Sequence, residues 1–396
     1  AEGRLVLGPD CGTALIGGIG FGFANRVRNG PVGVVAASGT GIQAITSRVH
    51  EMGSGISQAI GTGGRDLSTE VGGSTARQAL GLLARDTATE VIVLASKPPE
   101  PDVASRLLRT AHSLAKPVVV QFSGYPAPAP RIGNLVFTRS LSEAADAAVE
   151  LARERTQIPG IEPVASSGGY LCGLFAGGTL ALEALQGLEP FLEPLQTNLG
   201  ASEAAPFEVS EALETHAIID LGADEYTAGR LHPMIDPTLR LQMLERLGNK
   251  VRQGVVLLDI VLGSGSHPDP AAELVPLIRS IRDHTRIEIV VVVIGTDRDP
   301  QQRLKVCSAL EAAGARLASS MSEAVDIVVD LLLPPLEAEP HPVSLDSLQV
   351  SQVINVGLES FYNELIEQEV PAVQMDWRPP GGGNPEINSI LKRMRA

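Results

Sequence analysis

Two stretches of small residues stand where an apolar run gives way to a helical one: Val34-Val-Ala-Ala-Ser-Gly-Thr-Gly41 and Leu171-Cys-Gly-Leu-Phe-Ala-Gly-Gly-Thr179. Small side chains let a bound group approach the backbone, and the free N–H groups and dipole of a helix start favour an anion. Ser38, Gly39, Thr40 and Gly41 therefore form one candidate anion-binding set, and Gly177, Gly178 and Thr179 a second. Taken singly, each is also read as an ordinary turn capped by Ser or Thr. In Gly61-Thr-Gly-Gly-Arg-Asp66, Gly63 and Gly64 supply a permissive backbone. Arg65 supplies a fixed charge that suits a bidentate clamp on carboxylate or phosphate, and Asp66 a carboxylate to orient it or accept a proton. Arg230-Leu-His-Pro-Met-Ile-Asp-Pro237 gathers Arg230, His232 and Asp236 in one prolyl-stiffened loop. This is the best acid–base set, with Arg230 binding substrate and His232 and Asp236 handling protons. Neither loop has metal-ligand spacing, and no metal is expected.

Asp259 lies inside an apolar run, where a carboxylate is costly unless paired. Asp297 and Arg298, in Gly295-Thr-Asp-Arg-Asp-Pro300, end the next run and are placed to line the same crevice or to cap a turn. The chain has no Gly-x-x-x-x-Gly-Lys-Ser/Thr element, no strand-then-helix Gly-x-Gly-x-x-Gly and no Gly-x-Ser-x-Gly. A P-loop kinase, a nicotinamide dehydrogenase and an α/β-hydrolase are disfavoured.

These residues need elements to position them. Strands are expected at 32–36, 91–95, 118–122, 255–261 and 289–294. Helices are expected at 41–51, 74–84, 101–114, 142–155, 179–186, 237–246, 270–283, 300–313 and 322–332. The alternation predicts an α/β fold with parallel sheets covered on both faces. Ser140-Leu-Ser-Glu-Ala-Ala-Asp146 returns as Ser320-Met-Ser-Glu-Ala-Val-Asp326, and the preceding strands and glycine turns return in the same order. We therefore expect two flavodoxin-like domains related by duplication, with both helix starts aimed at one spot. The expected boundaries are 1–158, 159–333 with a surface insertion at 190–215, and 334–396 as a Pro-rich linker and small C-terminal unit.

The 396 residues hold 44% hydrophobic and only 3% aromatic residues, so Ala, Val, Leu and Ile must fill the cores. A net charge of −15 without a basic run opposes nucleic acid as a partner. The longest apolar run, 289–294, is far shorter than the ~20 residues of a membrane span. Cys11, Cys172 and Cys307 show no CxxC spacing, which argues against a disulfide framework and fits a reducing cytoplasm. The chain opens Ala-Glu-Gly-Arg without Met, and further sequence is expected upstream.

Leu7-Gly-Pro-Asp-Cys-Gly-Thr13, Ala36-Ala-Ser-Gly-Thr-Gly-Ile42, Ile60-Gly-Thr-Gly-Gly-Arg-Asp-Leu67, Ser96-Lys-Pro-Pro99, His232-Pro-Met-Ile-Asp-Pro237 and the tail 377–384 together resemble the FdrA family. That family is a branch of the NDP-forming acyl-CoA synthetase, or succinyl-CoA synthetase-like, superfamily. The resemblance implies that residues 8–155 correspond to the second domain of a synthetase α subunit and 166–333 to the carboxy-terminal domain of a β subunit. Synthetases hold a phosphorylated histidine, borne on a Gly-His-Ala-Gly loop, between two helix starts; here the corresponding loop reads Arg131-Ile-Gly-Asn134. The resemblance further implies a subunit of a bacterial carbamoyl-transferring system, of the oxamate carbamoyltransferase type, in allantoin breakdown. An NDP-forming CoA ligase and a non-catalytic scaffold remain as alternatives. A small anionic substrate and partner subunits are expected, self-association is left open, and CoA enters only through a preceding CoA-binding domain.

Overall fold

The computed structural model describes residues 7, 11–125, 127–154, 168–192, 194–200, 215–333, 342–375 and 384–395. The joining loop up to 167, most of the expected linker at 334–342, residues 201–214 of the insertion and Trp377 lie outside the described residues.

The first sheet opens with an antiparallel hairpin, β1 (Thr13–Ile16) and β2 (Ile19–Gly22). It continues as β3 (Asn29–Ala36), β4 (Ile56–Gly61), β5 (Val91–Ser96), β6 (Val118–Phe122), β7 (Arg131–Ile132) and β8 (Leu135–Phe137). Its helices are α1 (Gly39–Glu51), α2 (Ser74–Arg85), α3 (Pro101–His112) and α4 (Leu141–Glu154). The second sheet comprises β9 (Tyr170–Phe175), β10 (Leu195–Thr197), β11 (His216–Asp220), β12 (Gln253–Val261), β13 (Arg286–Ile294) and β14 (Arg316–Ala318). It is flanked by α5 (Gly178–Leu188), α6 (Asp224–Thr227), α7 (Thr238–Lys250), α8 (Pro270–His284), α9 (Arg303–Ala312) and α10 (Met321–Leu332).

The parallel strands run β4-β3-β5-β6-β8 in the first sheet and β11-β9-β12-β13-β14 in the second. Both therefore have the flavodoxin-like order 2-1-3-4-5, and the fold class is the expected α/β one. The repeated Ser-x-x-Glu segments do the same work in each half. Ser140 Oγ accepts the Glu143 N–H at 3.1 Å and Ser320 Oγ the Glu323 N–H at 3.2 Å, and each glutamate reaches back to the N–H of Arg139 or Ser319. Within the segment expected as a surface insertion at 190–215, residues 195–197 pair with β11 as a parallel edge strand.

The two halves expose different faces to each other. Helices α1 and α4 cover one face of the first sheet with a core of their own. Helices α2 and α3 on its other face share one continuous core with α5 and α10, whereas α7, α8 and α9 cover the far face of the second sheet. Within this seam His112 Nε2 lies 2.8 Å from Asp326 Oδ1, and the His112 ring meets Phe191 edge-on at 5.9 Å.

The C-terminal unit is a β-α-β element, β15 (Val353–Val356), α11 (Glu359–Glu367) and β16 (Ala372–Met375), followed by α12 (Pro385–Arg395). It rests on the β1–β2 hairpin, where Phe361 meets Phe23 edge-on at 5.4 Å and Gln368 bonds both the N–H and the carbonyl of Gly20 at 2.7 and 3.0 Å. No helix among the described residues is long and apolar enough to cross a membrane.

Candidate functional site

A cleft of about 580 Å³ opens at the carboxyl ends of β3, β4 and β5, lined in part by Thr13, Ser38, Gly39, Thr40, Ser68 and Lys97. Ser38 is extended (φ −105°, ψ 122°) and caps α1, its Oγ accepting the Gly41 N–H at 3.1 Å and lying 3.2 Å from Thr40 Oγ1. Gly39 and Thr40 form the first turn, whose N–H groups precede the first intrahelical bonds. A Cβ on Gly39 would lie 2.9 Å from Thr13 Oγ1, and one on Gly61 2.4 Å from the Thr13 carbonyl. Glycine at these two places lets β1 close over the helix start. Lys97 brings an exposed ammonium to the end of β5, with Glu100 as the opposing charge on the rim. Helix dipole, N–H groups, hydroxyls and ammonium together suit a small phosphate or carboxylate.

The neighbouring loop divides into two roles. Gly64 lines the cleft and Gly63 (φ 77°) precedes the short 3-10 turn, but Arg65 is exposed and does not line it. Asp66 is 3% exposed, and its two oxygens accept the Thr75 and Ala76 N–H groups at 2.8 and 2.9 Å. Instead of a free proton acceptor, Asp66 is the cap of α2, whose preceding residue Gly73 is left-handed and has no capping side chain.

In the second half the corresponding helix start is filled from within. Asp259, fully buried at the end of β12, accepts the Ala176 N–H at 2.7 Å and the Gly177 N–H at 2.8 Å, and pairs with the buried Arg240 at 3.1 Å. Burial raises the Asp259 carboxyl and lowers the Arg240 guanidinium from their ordinary values, and the attraction between them opposes both shifts. Asp220, ending β11, stands so close to α5 that a Cβ on Gly178 would lie 2.5 Å from its Oδ2. Burial raises the Asp220 carboxyl, against the Gly222 N–H and the charge of His232. Two of the chain's own carboxylates thus guard the turn at Gly177 and Gly178, while Thr179 is exposed.

His232 is brought to this place: a Cβ on Gly222 would meet its Nε2 at 2.9 Å and Asp220 Oδ1 at 3.1 Å. Its Nδ1 accepts the Met234 N–H at 3.2 Å, so the neutral ring carries its proton on Nε2, facing Asp220. Asp236 turns away to accept the Thr238 N–H at 3.0 Å at the start of α7. Hydrogen bonds from the Thr238 hydroxyl and N–H hold its carboxyl below the usual range. Arg230 is exposed. Asp297 accepts the Leu304 N–H at 3.1 Å in the first turn of α9, and Arg298 is exposed beside it.

Helix α1 covers the first sheet on the face away from the second half, α5 lies in the seam, and the residues lining the cleft all belong to the first half. At the loop 131–134, Gly133 (φ 53°) makes a tight turn between β7 and β8, where a Cβ would lie 2.5 Å from Asp326 Oδ1. Asn134 is buried and donates to the Ala111, Leu114 and Lys116 carbonyls at 2.8, 3.0 and 2.9 Å. Beside it, donor atoms of His112, Asp326 and Asp330 lie within 4.8 Å of one another, near enough to share a cation, although both ring nitrogens already face carboxylates. Sequence reasoning passed over Lys97, Thr13 and Asp220. Lys97 and Asp220 each follow or end an apolar run, and that position at a strand's carboxyl end was the available signal.

Residues 174–329 match the CoA-ligase family model. The architecture is thus a pair of flavodoxin-like sheets, and the matched residues fall in the second of them. Over 336 residues the chain is 38% identical to the uncharacterized protein YahF of Escherichia coli (strain K12), covering 81% of this chain and 65% of YahF. It is 28% identical over 127 residues to the malate–CoA ligase subunit alpha of Methylorubrum extorquens, covering 31% of this chain and 42% of that subunit. The chain thus spans less than two thirds of either relative. Among solved structures it is similar to PH0766 from Pyrococcus horikoshii OT3, at 13% identity and TM-score 0.28 over 83% of this chain and 70% of that one. The apo dinucleotide-forming acetyl-coenzyme A synthetase 1 of Ca. Korarchaeum cryptofilum gives 16% identity and TM-score 0.27 over the same shares.

Proposed function

We propose that this chain is the ligase core of an enzyme that transfers a phosphate-activated carbonyl group to an acceptor, and that the cleft at the start of α1 binds the anionic donor. The carrying observation is the difference between the two helix starts: that of α1 is open, hydroxyl-lined and flanked by Lys97, whereas that of α5 is occupied by Asp259 and Asp220. The CoA-ligase match supports an acyl group as cargo and CoA as acceptor, the latter brought by a preceding domain or a partner subunit. In the transfer the acceptor's nucleophile bonds to the carbonyl carbon, the carbon–oxygen bond to phosphate breaks, and the leaving phosphate keeps the electron pair. The acceptor proton goes to a base, for which the Glu100 carboxylate on the rim of the same cleft is the candidate. Lys97 and the α1 N–H groups stabilise the charge on the departing phosphate.

A second reading, carbamoyl transfer by an FdrA-like subunit, is favoured by the loop at 131–134. Its turn is packed against Asp326 and offers no histidine to carry phosphate, which suits a donor that arrives already phosphorylated. Calorimetric titration of the full chain with acetyl phosphate, carbamoyl phosphate, oxamate and CoA tests both. Binding of either phosphate donor, weakened about tenfold by Lys97→Gln as loss of one charge-assisted hydrogen bond requires, is the expected result. Acetyl phosphate bound in preference to carbamoyl phosphate supports the acyl reading, and the reverse the carbamoyl one. Binding indifferent to Lys97→Gln removes the cleft from the mechanism, and no binding of any of the four makes a scaffold the better account.

A further inference from the structure

The C-terminal unit carries two bare apolar surfaces that match each other. Parallel sheets are ordinarily covered on both faces, but the β15–β16 pair is covered by α11 on one side only. On the other side Ile354 pairs with Val373 and Val356 with Met375, and these four side chains are 63%, 50%, 52% and 49% exposed. Helix α12 is the complementary shape. Ile387, Ile390 and Met394, at i, i+3 and i+7, form a single stripe and are 43%, 49% and 78% exposed. Two strands about 4.8 Å apart make a strip about as wide as one helix, and eleven residues of helix, about 16 Å, run the length of a four-residue strand. Charge agrees with shape. Residues 345–375 contain five carboxylates, Asp346, Glu359, Glu364, Glu367 and Glu369, and no Lys or Arg; residues 384–396 contain Lys392, Arg393 and Arg395 against Glu386 alone.

We propose that the occupant of the β15–β16 face is α12 of a second copy of this chain, the two copies exchanging helices about a twofold axis. Among the described residues of one chain both surfaces stay bare, so each molecule offers a socket and a plug, and a reciprocal exchange covers both pairs and closes. The exchange places the C-terminal unit of one copy, which already rests on the β1–β2 hairpin beside the cleft, against the tail of the other.

Light scattering after size exclusion, on the full chain at micromolar concentration, reads the mass directly. Twice the chain mass is expected, falling to the monomer with Ile390→Glu on the helix or Val373→Glu on the sheet; both sites are half exposed, so the monomers stay folded. The decisive arm mixes the two variants. The intact helix of the Val373→Glu protein fits the intact face of the Ile390→Glu protein, so the mixture regains a heterodimer that neither variant forms alone. A monomeric native chain, with α12 folded on its own sheet or with the face awaiting another protein, overturns the proposal. So does a dimer indifferent to both substitutions, or a mixture that stays monomeric.

Discussion

Asp259 and Arg240 illustrate what a buried charge does in this chain: they shape a backbone turn and leave the chemistry to other groups. The carboxylate satisfies two N–H groups ahead of α5, and the guanidinium also donates to the Asp259 carbonyl at 2.7 Å. Removing one partner leaves the other buried and unpaired, so Arg240→Met should cost about 3–5 kcal/mol in urea unfolding. Asp259→Asn with Arg240→Met together should cost less than the sum of the two single changes. Additive losses would mean that the two side chains act independently. At the opposite end of the second sheet, His216 Nδ1 accepts the Leu171 N–H at 3.0 Å while its ring meets Tyr170 edge-on at 5.4 Å. Burial, helped by the charge of Arg109, lowers its pKa from 6.5 to about 4. The unfolded chain therefore takes up a proton that the folded chain refuses. The stability from this group is complete above pH 6.5 and is lost as pH falls towards 4. His216→Asn retains an acceptor without titrating, and its unfolding midpoint should fall less steeply between pH 7 and 4.5. An identical acid slope in both proteins would exclude His216 as the cause.

Among the elements, the helices were legible because their ends are written in residue type. Ser38, Ser140 and Ser320 cap α1, α4 and α10, Pro101 and Pro270 open α3 and α8, and observed limits differ from expected ones by a few residues. Helix α9 starts at Arg303 instead of 300 because Gln302 adopts φ 55°, which no composition signals. Strands were legible where β-branched and leucine residues dominate a short run. β4 is Ile-Ser-Gln-Ala-Ile-Gly, interrupted by two polar residues, yet it is wholly buried because Ser57 bonds Thr89 at 2.6 Å and Gln58 accepts the Gly17 N–H at 2.8 Å. Those partners come from other elements, so the local sequence cannot show them. The site follows the same division. Ser38 to Gly41 were legible as a small-residue helix start, whereas the carboxylates that fill the start of α5 come from β11 and β12, far along the chain. The Ser38 cap gives a test at this scale. Ser38→Ala should lower stability by about 1 kcal/mol and Ser38→Gly by a few tenths, read from chemical unfolding. Equal losses would mean that Ser38 acts through something other than the Gly41 N–H.

For the whole molecule the seam decides how the halves behave. The α2–α3 layer and the α5–α10 layer form one core. Phe191, fully buried, touches His112 edge-on, and its carbonyl accepts a hydrogen bond from Arg109 on α3. His112 in turn faces Asp326 and Asp330 on α10, and burial raises the Asp330 carboxyl against the charge of His112. A core shared in this way makes unfolding of one half expose the core of the other, so the two halves should melt together although each has its own sheet. Calorimetry of the intact chain should then show one transition for residues 11–333. Phe191→Ala removes a large fully buried side chain at a cost of about 3–5 kcal/mol, paid at the seam. It should split the transition in two, the first sheet keeping its α1–α4 core and the second its α7–α9 core. Two transitions already present in the native chain would show that the seam does not couple the halves. A single, merely lower transition in the variant would show that the coupling is spread over the whole α2–α3 and α5–α10 contact, with Phe191 one contributor among many.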